Sequence, residues 1–324
     1  MNRRSSKSRP VLVAVVALSA VALAATVSSA QVAPASSTSH SPGARGYSAF
    51  VIHPLDARVL YVASGMGIFK SSDQGRTWRR ANDGLRDPYV VDLVISASAR
   101  NTLYGSTPDG VFKSSDAGRH WTPTSLTTGP DALAVDPRDP NTVYAAGGDD
   151  VLKTANGGRS WHAVTVGRRV FALAIDPRQP STVYAGAGSG VFKSMNAGRT
   201  WRAMNRGLFP AETKAEREHR LGEGFILAFA INPGRPQTLY LASNYGVFKS
   251  TNAARTWHWV STGIPGNGKF KLVGSIAIDP RNAQTLYTGT SRGVFKSTNG
   301  GRRWKAVAAL IRHSSYRSCV RGWA

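Results

Sequence analysis

General acid–base chemistry with carboxylates needs a pair of them in one pocket. Recognition of an acidic ligand needs convergent guanidinium groups. The chain holds 18 acidic residues against 41 lysines and arginines. Asp109, Asp149 and Asp150 fall in short Gly-flanked turns, as do Tyr245 and Arg292, and Arg168 and Arg169 precede an apolar run. All four glutamates, Glu212, Glu216, Glu218 and Glu223, share one stretch. Asp92 interrupts an apolar segment. Other chemistries find little support. The seven histidines show no metal-ligand spacing, and the single Cys319 excludes an internal disulfide or a cysteine-built metal site. No nucleotide-binding glycine motif or serine-hydrolase elbow occurs, and Gly186 to Gly190 reads as a strand turn. Neither a metal nor a cofactor is expected.

These residues are distributed over an internal repeat. Trp78, Trp121, Trp161, Trp201, Trp257 and Trp304 each follow a tyrosine at one constant spacing, from Tyr61, Tyr104, Tyr144, Tyr184, Tyr240 and Tyr287 respectively. At a second constant spacing before each tyrosine stands a turn residue, Pro54, Ala97, Pro137, Pro177, Pro233 or Pro280, preceded by a short apolar run such as Leu173-Ala174-Ile175. The period, read between successive tryptophans, is shortest from Trp121 to Trp161 and, equally, from Trp161 to Trp201, and longest from Trp201 to Trp257. Each copy parses into four short strands: the apolar run, the Thr-Val-Tyr segment, the Val-Phe-Lys-Ser segment and the stretch beginning at Trp. Repetition of a four-stranded unit at this period predicts an all-β fold, a single β-propeller of six blades spanning residues 47–310.

The segment between the third and fourth strands carries a motif. Ser71-Ser72-Asp73-Gln74-Gly75-Arg76-Thr77-Trp78 resembles the Asp-box of bacterial neuraminidase repeats, and Asp116 and Trp121 complete a second copy. Asparagine replaces the acid in the later copies, which pair Asn156 with Trp161, Asn196 with Trp201, Asn252 with Trp257 and Asn299 with Trp304. A short acceptor side chain can tie backbone N–H groups across the turn, glycine can take the left-handed conformation, and tryptophan can fill the space between blades. Ala254 replaces the box glycine in copy five, and Arg303 the threonine in copy six, so these two turns are expected to deviate. The resemblance extends to sialidases, xyloglucan-degrading hydrolases, sortilin-type receptors and photosystem II assembly factors. It implies a propeller rather than a reaction. The Arg-Ile-Pro segment of sialidases has no counterpart, because the first strand here reads Phe50-Val51-Ile52-His53. The xyloglucan enzymes share two carboxylates between tandem propellers, and this chain has room for one.

By the same resemblance the boxes lie on the face opposite the usual binding site. The candidate binding face therefore collects Asp109, Asp149, Asp150, Arg168, Arg169, Tyr245 and Arg292, with an insertion after Trp201. Trp201 to Pro233 is twice the span of Trp121 to Pro137 or of Trp161 to Pro177. Pro210, the i,i+4 pairs Lys214–Glu218 and Glu216–Arg220, and Gly222 predict a short exposed helix there. Asp92 joins the candidates because its equivalents are Ala49, Ala132, Ala172, Ala228 and Ser275. A carboxylate there would sit on an innermost strand, lining a central pocket or pairing with an arginine.

The formal charge of +23 partly follows from repetition, since Lys in Val-Phe-Lys and Arg just ahead of Trp recur in every copy. A basic belt near the boxes is expected. At the N-terminus, Arg3, Arg4, Lys7 and Arg9 precede the apolar run Val11 to Ala25 and the small residues up to Ala30. This pattern predicts a signal peptide over residues 1–30, with no membrane span after its removal. The mature chain would carry +19. A Ser/Ala/Pro-rich linker follows over 31–46, and a basic tail closes the chain at 311–324. The expectation is a secreted or cell-envelope module that binds or scaffolds without catalysis. Its partners would be anionic envelope polymers, glycans or another protein, rather than nucleic acid. The alternative is a glycoside hydrolase acting on extracellular glycans.

Overall fold

The computed structural model describes residues 47–208, 224–266, 272–290 and 292–309. The expected signal peptide, the linker, the helix around Lys214 and the tail lie outside the described residues. The described chain forms six four-stranded antiparallel sheets, each made of four consecutive strands. Blade 2 is representative: Asp92–Ile95, Leu103–Thr107, Gly110–Ser114 and Thr122–Pro123. Its tyrosine, Tyr104, stands opposite Val94 on one side and Lys113 on the other. The second and third strands are joined by a two-residue turn closed between Thr107 and Gly110. Gly110 has φ +121°, and a Cβ there would fall 2.0 Å from the Leu126 carbonyl oxygen, so only glycine fits.

This topology gives the disc two unlike ends. Turns between first and second strands, and the boxes between third and fourth, lie at one end. The two-residue hairpins and the connections between blades lie at the other. All blades direct their first strand at the axis, and successive sheets pack face to face. In the seam between blades 1 and 2, Leu93 and Ile95 meet Ala49, Val51, Tyr61 and Ile68, with Trp121 closing the outer part.

A clamp recurs along the seams. Tyr61 Oη and Lys70 Nζ both donate to the Ala117 carbonyl in the next blade's box, at 3.1 and 3.0 Å. Tyr240 and Lys249 do the same to Gly300, while Lys153 and Lys193 reach Ala197 and Ala253. Each ammonium lies 5.2–5.6 Å from the centre of its tyrosine ring. Burial lowers the pKa of Lys70, Lys153, Lys193 and Lys249 and pushes the phenols of Tyr61, Tyr144 and Tyr240 up to about 12. The lysines expected to form a free basic belt are therefore largely seam components.

The sixth seam, where the ring closes, is different. Among the described residues, no strand is exchanged between the first and last blades. There Ala277 of blade 6 joins Phe50, Val62, Phe69 and Trp78 of blade 1 in one cluster. Among the described residues, neither Tyr287 nor Lys296 bonds to the box of blade 1. The indole of Trp78 bonds Gly75 in its own box, whereas Trp121, Trp201, Trp257 and Trp304 each donate to the preceding blade. Ile52, which faces this seam, is 42% exposed, while the equivalent Ile95 is fully buried.

Candidate functional site

The box turns are self-contained. In copy one the Asp73 carboxylate accepts from Thr77 N and Oγ1 at 2.9 and 2.6 Å, while Ser71 Oγ accepts from Gly75 N. Burial raises the Asp73 pKa, but the bonds from Thr77 and Ser71 outweigh it and hold it at about 2. Asparagine in copies three to five reverses one donor. Asn196 Nδ2 donates to Thr200 Oγ1 at 2.9 Å, and Oδ1 still accepts from Thr200 N. Copies five and six also form the turn, contrary to expectation: Ala254 N bonds Ser250 Oγ at φ +70°, and Arg303 N bonds Asn299 Oδ1. Ala254 is tolerated because its methyl is buried beside Tyr184 and Trp257. The box tryptophans are not equivalent either. Trp121, Trp257 and Trp304 are fully buried, while Trp161 and Trp201 are partly exposed.

A cavity of about 430 Å³ runs along the axis, lined by the first strands of blades 2 to 5 and by Ser48. Its middle is apolar, with Val94, Leu133, Leu173 and Phe229. Arg138 and Arg178 stand at the box end. The hairpin-end mouth is built by one position per blade, immediately before the Asp92 position and its equivalents: Ser48, Val91, Asp131, Phe171, Leu227 and Gly274. Pairing registers break at this position in blades 1, 4, 5 and 6. Such a bulge inserts an unpaired residue and re-aims its side chain. All but Gly274 line the cavity.

Around this mouth the polar groups are engaged. Asp92 Oδ1 accepts from Leu93 N, and Oδ2 from Leu133 N of the next blade, both at 2.8 Å. Desolvation raises its pKa to about 6 against the opposing effect of those bonds. Asp131 pairs with Arg169 at 3.4 Å. The Arg169 guanidinium lies 5.2 Å from the centre of the Phe171 ring, which meets Phe225 edge-on at 5.4 Å.

The other sequence candidates surround rather than form this mouth. Asp109, Asp149, Arg168 and Arg292 are exposed on separate turns, and Asp150 accepts from Thr165 Oγ1. Tyr245 is buried between blades 4 and 5 with Tyr184 and Leu208, so its ring fills a seam rather than facing solvent. Sequence reasoning missed Asp131, Phe171 and Phe225. The usable sign was the position just ahead of the recurring alanine, where six copies hold six different residues. No metal-binding cluster occurs among the described residues, and no described helix is long and apolar enough to cross a membrane.

No protein-family profile matches the sequence, and no curated protein matches it. Solved structures do resemble the fold. An ancestral GH74 enzyme superposes with a TM-score of 0.65 at 22% identity, over 84% of this chain and 40% of its own. The extracellular domain of a B. thetaiotaomicron hybrid two component system gives 0.63 at 13%, over 86% of this chain and 34% of its own. YCF48 from Cyanidioschyzon merolae gives 0.54 at 15%, over 79% and 83%, and YCF48 has also been solved bound to D1 peptide, at 0.51 and 15%, over 76% and 77%. The chain thus spans less than half of this GH74 enzyme and of the two component system chain but most of YCF48. It is a six-bladed β-propeller whose fold is shared by a GH74 enzyme, the extracellular domain of a two component system and YCF48.

Proposed function

We propose that this propeller is an exported, non-catalytic binding or scaffold module whose ligand enters the hairpin-end mouth of the axial cavity. The bulged position carries the reading: it changes identity in every blade, from Ser48 through Asp131 and Phe171 to Leu227, within a frame that otherwise repeats. Side chains that differ around a common mouth suit recognition of one asymmetric ligand. An apolar bore flanked by Phe171, Arg169 and Asp131 fits a segment with an apolar side chain and a polar backbone, such as a peptide of another protein. The peptide-bound YCF48 structure, most of whose length this chain spans, supports this choice.

Two carboxylates at the mouth, Asp92 with its raised pKa and Asp131, favour a glycoside hydrolase as the second reading. Both oxygens of Asp92 are occupied by N–H donors and Asp131 is held by Arg169, so neither is poised to protonate a leaving group. A peptide-array and glycan-array screen, run beside release assays on sialyl and β-glucan substrates, separates the two. The binding reading expects capture of a peptide that weakens at least tenfold in Phe171→Ala, with no sugar released. Sugar release abolished by Asp92→Asn would replace it with the hydrolase.

A further inference from the structure

The box end, unused by that reading, has a composition of its own. Each first-to-second-strand turn presents an exposed arginine: Arg58, Arg100, Arg138, Arg178, Arg235 and Arg281. Each box presents another just ahead of its tryptophan, from Arg76 in copy one to Arg302 in copy six, all exposed. The first set lies nearer the axis, the second nearer the rim. The result is two concentric rings of six guanidiniums.

The acids on this end do not neutralise the rings. Asp136, Asp176 and Asp279 each turn inward to accept backbone N–H groups of their own turns, and Asp73 and Asp116 are used within boxes. Among the described residues, Arg58–Asp56 is the only arginine ion pair at this end. Arg138 and Arg178 instead donate to the carbonyls of Arg178 and Gly234 in the following blades, which lays them around the box-end opening of the axial cavity. A polar groove of about 390 Å³ opens between blades 2 and 3, lined by Lys113, Asn141, Asn156 and Arg159. It has the size and donors to take a phosphate-bearing headgroup.

Two apolar side chains project from the same end. Leu55, in the turn of blade 1, is 56% exposed, and Met195, in the box of blade 4, is 60% exposed. A soluble polyanion has no use for them. A bilayer does, because apolar tips enter the headgroup region while basic groups are drawn to the anionic surface. We propose that the box end is a docking face for an anionic lipid bilayer, which holds the propeller flat and leaves the opposite mouth turned toward its ligand.

Co-sedimentation of the full chain with vesicles tests this. The probes are phosphatidylcholine vesicles and vesicles containing about one-third phosphatidylglycerol. The expected result is binding to the anionic vesicles only, lost as salt rises from about 0.05 to 0.5 M. Arg119→Glu, Arg159→Glu and Arg199→Glu together should lower the partition at least tenfold, while Arg168→Glu at the other end should leave it unchanged; melting temperatures establish that both variants fold. Leu55→Ser with Met195→Ser should weaken vesicle binding severalfold without altering binding to inorganic polyphosphate. Equal binding to both vesicle types, or insensitivity to the box-end reversals, would overturn the proposal. Tight binding of polyphosphate or duplex DNA without vesicle binding would also overturn it, in favour of a soluble polyanion. Because the peptide screen reads the opposite end, failure of either reading leaves the other standing.

Discussion

The two ends of this propeller are made by the same four strands and differ in how far they repeat. At the box end every blade solves one steric problem, a tight turn with two successive left-handed residues, as in Gln74 and Gly75 or Ala253 and Ala254. That constraint restricts residue choice and copies the arginines along with it. At the hairpin end the connections differ in length, and the bulged residue at the mouth changes in every copy. Repetition there stops where packing no longer requires it. The lesson is that periodic residues in this chain report on folding, and departures from the period mark where a ligand would be read.

The sharpest way to break this contrast is to remove one residue from each end. Trp257 is fully buried, and its indole donates to the Met204 carbonyl at 2.9 Å. Trp257→Ala should cost about 3–5 kcal/mol in denaturant unfolding, whereas Tyr89→Ala at the hairpin end, where the ring is exposed, should stay within about 0.5 kcal/mol. Comparable losses would mean that the hairpin end is also packing-determined.

Asp92 probes the junction of the two behaviours. Its folded pKa of about 6 exceeds the ordinary 3.8, so the folded chain prefers the proton. The stability contributed by protonation is complete below about pH 4 and is lost as pH rises through 6. Asp92→Asn should accordingly abolish a pH-dependent swing of about 1–3 kcal/mol between pH 4 and 7, because the amide does not titrate, although its Nδ2 meets an N–H donor where a carboxylate oxygen accepted. Melting curves across that window check it, and a swing that persists in the variant would show that it does not come from Asp92.

A smaller effect tests whether six turns share one backbone. Gly198 has φ +90°, and a Cβ there would sit 3.1 Å from the Val164 side chain. Gly198→Ala should destabilise by about 1–2 kcal/mol. Ala254→Gly relieves similar strain but discards a buried methyl and frees the unfolded chain, so its midpoint should move by less than about 1 kcal/mol.

The smallest effect separates acid boxes from amide boxes. The Asp73 pKa is held at about 2, so its contribution is present above the unfolded value and is lost as pH falls through 4 toward 2. Asp73→Asn should be near neutral at pH 7, as four natural copies use asparagine. It should flatten the acid limb of unfolding by under about 1 kcal/mol, since the turn is largely solvent-screened.

The fold was legible because its determinants are local. A fixed interval from tyrosine to tryptophan, a left-handed glycine and a short acceptor specify a blade without reference to any other blade. That was enough for strand count and blade count. The candidate site was legible only in part. Asp92 was visible as an exception among alanines, but its partner, Leu133 N, lies 41 residues away across a seam that exists only once two blades are packed. Tyr245 looked like a surface turn residue until the neighbouring blade covered it. Lys70 and its equivalents looked like free charge, yet the stem brings each ammonium over a tyrosine ring and, for four of them, onto the next blade's box carbonyl. What the chain's sequence determined was everything set by contacts within one repeat. The tertiary structure alone decided what lies between repeats: which lysines are tied, which carboxylate is desolvated, and which side chains of blades 1 and 6, Ala277 and Trp78 among them, share one cluster, because those contacts depend on how six identical plans meet around one axis.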